Sequence, residues 1–566
     1  MGSSANNGFR RSLVETYNST SHQFTYFDSV NGNTANDNFF IGVTLYRPPA
    51  SNDVWVVAVG YYVNTSSSWR PLAARWVNSG SNDLSLPPAP SGNDTLLFGV
   101  TIDSQAEIRA VGFNGSYTGT GNPFFERWNS TSGWLTPYVG LDNGSLHAVA
   151  QVPTDPNTAW MKDIWAAGKG ASGSLSPVEH NDAIDWQPVS HPNSNSLYGI
   201  AVNSIVMGGE PTMSFSASEA WAVGNYTSGG VQQTLVLHYT PPAVPGAPRY
   251  TISNYVETTD ETVLKQMGCN AQARGETGIH VLDFGAPRNW SAATPNATPT
   301  YGTQLTGPPP VKTVTIPKIE TMVANFADGL AIPTCAPSGP PPLQPRRLMV
   351  AIGTSNDIED PPHNALNYGH GIAWGTMVAQ ANQYSIDQGY SDRITFAGAM
   401  DIEQGSNPTA TPSGGTATPV WGNPTPVTDW INGYVAASGG YDFYNFGSCD
   451  GCDPNPAGGA MAYGWTPAAV YNVSYGIYLH AYPLPEIYYF QPGSDLAEQW
   501  RRTSLAGAGM SFGIMKSHGV MTEDQPTTSN SPDQGWNQLW QALNFDPTGR
   551  TAYDPPFSTQ ITQKQK

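Results

Sequence analysis

Charged side chains are scarce in this chain: Asp, Glu, Lys and Arg make up only 12% of its 566 residues. The basic ones are scarcer still, 24 against 43 acidic, which leaves a net charge of -19. A surface of that sign repels phosphate backbones and anionic lipid, and no Lys/Arg run supplies a local exception. Nucleic acid is therefore excluded as a partner. Apolar runs of 18 residues are also missing, so no segment is expected to insert into a membrane. Met1-Gly2-Ser3-Ser4 has neither the basic nor the apolar region of a signal peptide, so a secreted form would have shed its leader. Cysteine is limited to Cys269, Cys335, Cys449 and Cys452. The simplest pairing in an oxidising compartment is Cys269 with Cys335 and Cys449 with Cys452. The alternative for Cys449-Asp450-Gly451-Cys452 is a redox dithiol or half of a zinc site.

What is plentiful is Gly (59), Pro (49), Tyr (27) and Trp (17). Turn formers and aromatics in that excess, with little Lys, describe a loop-rich, mainly extended chain of the secreted or cell-surface kind. Asn-x-Ser/Thr triplets at Asn18, Asn64, Asn129, Asn225 and Asn472 would suit glycans in that setting. The length suffices for two cores.

The first half repeats. Val57-Ala58-Val59-Gly60, Arg109-Ala110-Val111-Gly112, Trp165-Ala166-Ala167-Gly168 and Trp221-Ala222-Val223-Gly224 place their glycines 52, 56 and 56 residues apart, the spacing of a repeat architecture. Each unit predicts an apolar strand, the glycine strand, a strand ending in a large side chain and a weaker outer strand. Leu96 to Val100, the Gly112 motif, Pro123 to Trp128 and Leu135 to Val139 are one such set. Four short antiparallel strands per unit is the pattern of a β-propeller blade, in which small residues let the inner strands crowd the axis. Ser12 to Tyr17 follows the third-strand pattern, so the chain enters halfway through a unit, and closure by strands from both sides gives four to five blades. These units resemble the Trp-Ala-Val-Gly repeats of secreted bacterial propeller proteins over about residues 8 to 240. The resemblance implies a binding platform and carries no activity. Pro241 to Pro248 is the predicted linker, which sets the expected division at residues 1–243 and 244–566.

Beyond the linker, predicted strands at Ile279 to Phe284, Leu348 to Ile352, Ile394 to Met400, Tyr441 to Phe446, Glu486 to Phe490 and Ser511 to Met515 alternate with helical patterns. The helices fall at Ile316 to Leu330, His370 to Gln388, Val427 to Ala437, Asp495 to Leu505 and Gly535 to Leu543. Such alternation argues a parallel sheet covered by helices, and six strands with room for two more favour a (β/α)8-like barrel, hence an α/β domain after an all-β one.

Barrel chemistry sits at the carboxyl ends of the strands. Asp283, Asp401 and Glu403 fall there, and Asp401 and Glu403, two apart on a strand, project from one face. Two carboxylates held close in a concave site separate in acidity, and one can then act as acid while the other stays charged. Glycoside hydrolysis uses such a pair. Tyr444, Asn445, Glu486, Trp374 and Tyr488 are the candidate substrate-binding residues, the aromatics suiting sugar rings. His363 and His370, near Asp357 and Glu359, match no standard metal spacing. Lys516-Ser517-His518 lacks a nucleophile elbow around it. Neither a metal nor a cofactor is expected.

Phe396 to Glu403 looks like the Asp-x-Glu strand of barrel lysozymes and, less closely, of chitinase-type barrels; that likeness implies Glu403 as proton donor with Asp401 as its partner. Ala399 and Met400 stand where the chitinase pattern has further acids. Val350 to Asn356, Ala399 to Glu403, Tyr444 to Gly447, Tyr482 to Tyr488 and Gln534 to Trp540 look like a secreted bacterial domain family without an assigned activity, a resemblance spanning residues 265 to 560. The expectation is a secreted carbohydrate-active protein, a glycoside hydrolase-like barrel acting on or binding extracellular polysaccharide, with the propeller as platform. The alternative is a non-catalytic surface protein serving adhesion or self-assembly.

Overall fold

The computed structural model describes strand backbones at residues 2–6, 9–18 and 23–28, most of 38–205, residues 217–290 and most of 299–562. Among the longer stretches outside the described residues are 29–37, 152–163, 206–216, 291–298, 336–346, 357–365, 404–423 and 453–463. The chain forms two compact units, Met1–Pro242 and Ala243–Lys566, divided inside the proline-rich stretch.

The first unit is built from antiparallel sheets, five among the described residues, each made of strands consecutive in the chain. They begin at Gly2–Asn6, Asn38–Tyr46, Asp94–Ile102, Gly144–Gln151 and Ser196–Ile205. In the last four, the repeat's glycine strand is second, at Trp55–Val63, Ile108–Gly115, Ile164–Gly170 and Ala217–Ser228.

Those glycines have a local cause. The first strand of each of these sheets carries a β-bulge, where pairing slips between Phe40 and Gly42, Leu97 and Gly99, Leu146 and Ala148, and Leu197 and Gly199. The bulge turns a carbonyl toward the second strand. A Cβ at Gly60, Gly112 or Gly168 would stand 1.8 Å from the oxygen of Phe39, Leu96 or Ser145, and one at Gly224 would stand 2.0 Å from that of Ser196. Crowding within each sheet, rather than around an axis, therefore fixes the repeat's signature. Gly112→Ala is expected to destabilise the first unit by about 2 kcal/mol or more, since the clash is with backbone; a urea midpoint equal to wild type would refute it.

Adjacent sheets share cores. Val57, Val59 and Ala73 of the second sheet pack with Ile108, Ala110, Phe124 and Trp128 of the third. Val111 and Phe125 of the third meet Leu146 and Ala166 of the fourth, and Trp165, Ala167 and Val178 of the fourth meet Ala220 and Ala222 of the fifth.

The second unit contains an eight-stranded parallel sheet. Its strands are β1 (Thr251–Tyr255), β2 (Gly278–Asp283), β3 (Leu348–Ser355), β4 (Ile394–Asp401), β5 (Phe443–Asn445), β6 (Ala481–Pro483), β7 (Gly519–Asp524) and β8 (Phe557–Thr562). Between them run α1 (Glu261–Arg274), α2 (Ile316–Ala331), α3 (Tyr368–Asp387), α4 (Pro424–Ala437), α5 (Pro467–Tyr471), α6 (Leu496–Ala506) and α7 (Pro532–Asn544). A small antiparallel sheet, residues 286–315, interrupts the path from β2 to α2. The order across the parallel sheet is β6-β5-β4-β3-β2-β1-β8-β7. It curls until its edges meet: Glu486 forms a parallel bridge with Met521, and Met521 and Ile487 donate to the carbonyls of Pro485 (2.9 Å) and Met521 (2.8 Å). The result is a barrel-like α/β domain.

Strand alternation sorts the core into two. Val350, Ile352, Phe396 and Leu282 face the helices. Ile279, Val281, Ala351, Ala397, Ala399, Tyr444, Phe446, Leu484 and Met521 fill the interior. Disulfides join Cys269 to Cys335 and Cys449 to Cys452, so the CxxC segment here is neither a free dithiol nor a zinc half-site. No described helix is long and apolar enough to cross a membrane.

Four strands differ from expectation. Residues 512–518 form no strand; the strand is Gly519–Asp524. The segment predicted at Glu486 to Phe490 contributes a single bridge after a three-residue strand. β1 and β8 escaped notice because hydroxyls interrupt the apolar alternation at inward positions of both, Thr251 and Ser253 on β1 and Thr559 between Phe557 and Ile561 on β8. Thr251 donates to Thr559 at 2.8 Å, and Ser253 shares a 2.6 Å bond with the same residue.

Candidate functional site

The parallel sheet aims its carboxyl ends at one rim, and alternation sends every second side chain inward. Asp283 closes β2 on the inward face, 1% exposed, and its Oδ1 accepts from the Gly285 amide at 3.0 Å. Gly285 is needed there: its φ is +76° and a Cβ would lie 2.3 Å from the Gln304 oxygen. Asp401 ends β4, 3% exposed, and Glu403 follows on the same face, half-buried. Glu486, past β6, is 5% exposed. One oxygen each from Asp401, Glu403 and Glu486 lies within 4.8 Å of the others.

The neighbouring strand ends fix these acids. The Asn356 side chain, just past β3, brackets the Glu403 backbone: Nδ2 donates to its carbonyl at 2.8 Å and Oδ1 accepts from its amide at 3.0 Å. The Ser448 hydroxyl, past β5, donates to Glu403 Oε2 at 2.6 Å. Between them Gly447 admits no side chain, because its Cβ would stand 2.3 Å from the Ile402 oxygen. Tyr488 donates to Glu486 Oε1 at 2.6 Å. Tyr255, at the end of β1, bonds to Tyr488. Burial first, then the charges of Glu486, Asp401 and Asp283, push the Tyr255 hydroxyl well above the usual phenol range. Burial and the Glu486 charge do the same to Tyr488. Both phenols are thus held as neutral donors among anions.

No protein-family model and no curated protein matches this chain. The site must be read from its own geometry.

Several candidates lie elsewhere. Trp374 is on α3, wholly buried in the helix–sheet core, and donates to the Ile352 carbonyl at 3.1 Å; it offers no face to a sugar. Asn445 turns to the helix layer, with Nδ2 donating to Ser474 at 2.6 Å and Oδ1 accepting from the Gly447 amide at 3.0 Å. Tyr444 points inward but is 1% exposed. Its hydroxyl meets His518 Nδ1 at 3.1 Å, and His518 precedes β7, at the end of the sheet opposite the acids. Tyr482 stacks on His518 at 3.9 Å, and burial lowers the His518 imidazole to about 4. His370 is a core residue bonded to Gly302 O and Trp430 Nε1, both at 2.8 Å. His363, Asp357 and Glu359 lie outside the described residues.

Tyr255 and Ser448 were missed by sequence reasoning, and Asn356 was seen only as part of a family-like motif. Glu403 and Glu486 are far apart in the chain, and only strand order brings them together. Three carboxylate oxygens at this spacing can share a proton or a hard divalent cation.

Proposed function

We propose that this chain is an extracellular carbohydrate-active protein whose barrel-like domain hydrolyses glycosidic bonds. The convergence of Asp401, Glu403 and Glu486 within 4.8 Å at the carboxyl rim carries the reading. Retaining glycosidases hold their two carboxyl groups about 5–5.5 Å apart and inverting ones about 6.5–9.5 Å, so the observed closeness favours retention. Glu403, the one partly open to solvent, serves as general acid, and Asp401 or Asp283 supplies the anion opposite the developing oxocarbenium charge. Tyr255 and Tyr488 support Glu486. Two disulfides suit an oxidising exterior. The glycine-punctuated sheets are the blades of a four- to five-bladed propeller that presents the substrate.

The test is release of reducing ends by the full chain from soluble extracellular polysaccharides, neutral and amino-sugar polymers included, with calorimetric binding measured alongside. Turnover of one class with retained anomeric configuration is expected. Neither turnover nor binding on any polymer would sink the proposal.

A further inference from the structure

The residues just past β5 touch two acids that are remote from each other in the chain. The Phe446 amide donates to the Met400 carbonyl of β4 at 3.0 Å, and the Gly447 carbonyl accepts from the Glu486 amide at 3.3 Å. Ser448 then donates to Glu403 Oε2 at 2.6 Å. A hydroxyl holds a carboxylate only as firmly as its own backbone is held. On the amino side, Gly447 lies hard against Ile402, and its amide is tied to Asn445 Oδ1 at 3.0 Å. On the carboxyl side the next residue is Cys449.

Cys449 is wholly buried and Cys452 is 3% exposed. Besides their disulfide, the Cys452 amide donates to the Cys449 carbonyl at 2.8 Å. Both residues belong to the core between sheet and helices, where the Thr503 hydroxyl of α6 lies 3.4 Å from one sulfur and 3.6 Å from the other. A cross-link between residues three apart restrains the unfolded chain much less than the Cys269–Cys335 bond, whose partners are 66 apart, so its effect on the fold is chiefly local. What is local to it is Ser448. We propose that the Cys449–Cys452 disulfide is a positioning element of the acid site: by fixing Cys449 against α6 it holds the Ser448 hydroxyl on Glu403. The use of Glu403 as an acid rests on the hydrolase reading, whereas the placement of its carboxyl does not.

Infrared difference titration of the full chain, with Glu403→Gln as reference, reads the ionisation of Glu403 without any substrate. Asp401 and Glu486 approach it within 4.8 Å, and Asp283, Tyr255 and Tyr488 surround those two, so the midpoint is compared between variants. Ser448→Ala removes a donor that favours the charged form and should raise the midpoint by about one pH unit. Cys449→Ala with Cys452→Ala should raise it as far, and all three changes together no further, since both act through one hydrogen bond. Cys269→Ala with Cys335→Ala should cost more stability and leave the midpoint in place. An unmoved or lowered midpoint in Ser448→Ala overturns the proposal whether or not the cysteine variant folds. So does a wild-type midpoint in Cys449→Ala/Cys452→Ala, a triple variant whose shifts add, or an equal shift on loss of the Cys269–Cys335 bond. In polysaccharide turnover the Cys449→Ala/Cys452→Ala variant should lose about tenfold in kcat with KM unchanged. A wild type without turnover would count against the hydrolase reading and leave the titration to decide the role of the disulfide.

Discussion

Glu403→Gln is expected to cut glycoside turnover by about a thousandfold while leaving the fold intact and slightly more stable. The amide keeps the shape of the side chain and can still accept from Ser448, whose hydroxyl sits 2.6 Å from Oε2. It cannot donate a proton to a leaving oxygen, a function worth about two to four orders of magnitude. Removing one negative charge from a group whose oxygens lie within 4.8 Å of one another also relieves repulsion, which accounts for the expected rise in melting temperature. Lost activity with raised stability marks a functional acid. Lost activity with lowered stability would mark Glu403 as a structural residue and remove it from the mechanism.

The largest expected effect on stability is at Glu126, in the first unit. It lies on the strand Gly121–Asn129 between Phe124 and Trp128, 3% exposed, and neither carboxyl oxygen has a hydrogen-bond partner among the described residues. Burial raises its pKa from 4.5 to about 9, so the folded chain carries it protonated at neutral pH. A carboxyl raised in this way favours the folded state most below the unfolded value of 4.5. That contribution falls as pH rises and is exhausted once the folded value, about 9, is passed. Retaining the proton at pH 7 costs about 3 kcal/mol. Glu126→Gln removes this cost and should raise the neutral-pH melting temperature of the first unit by several degrees. Urea unfolding between about pH 5 and 9 should slope downward for the wild type and lie flatter for the variant. Parallel slopes would show that Glu126 is not the group responsible.

The repeat was legible in sequence because each bulge demands a glycine at a fixed offset, and the demand recurs in all four copies. In the second unit α2, α3, α4, α6 and α7 were legible through their apolar spacing, whereas α1 and the short α5 were not anticipated. β1 and β8 were not, since Thr251, Ser253 and Thr559, bonded to one another, interrupt the inward alternation that Phe557 and Ile561 would otherwise mark. The placement of Asp283 and Asp401 at strand ends, with Glu403 just beyond, was legible because a strand end is a local property. Asn356 and Ser448 act on Glu403 across neighbouring strands, and no spacing in the chain encodes that contact. Trp374 misled because an aromatic reads alike in a helix core and at a sugar site.

The Asn356 bracket ties the acid to its neighbouring strand. Glu403's amide and carbonyl are both bonded to one side chain just past β3, so a substitution at residue 356 reaches the carboxylate without replacing it. Position 356 is a tuning point, where the aim of the acid can be altered while its chemistry is kept.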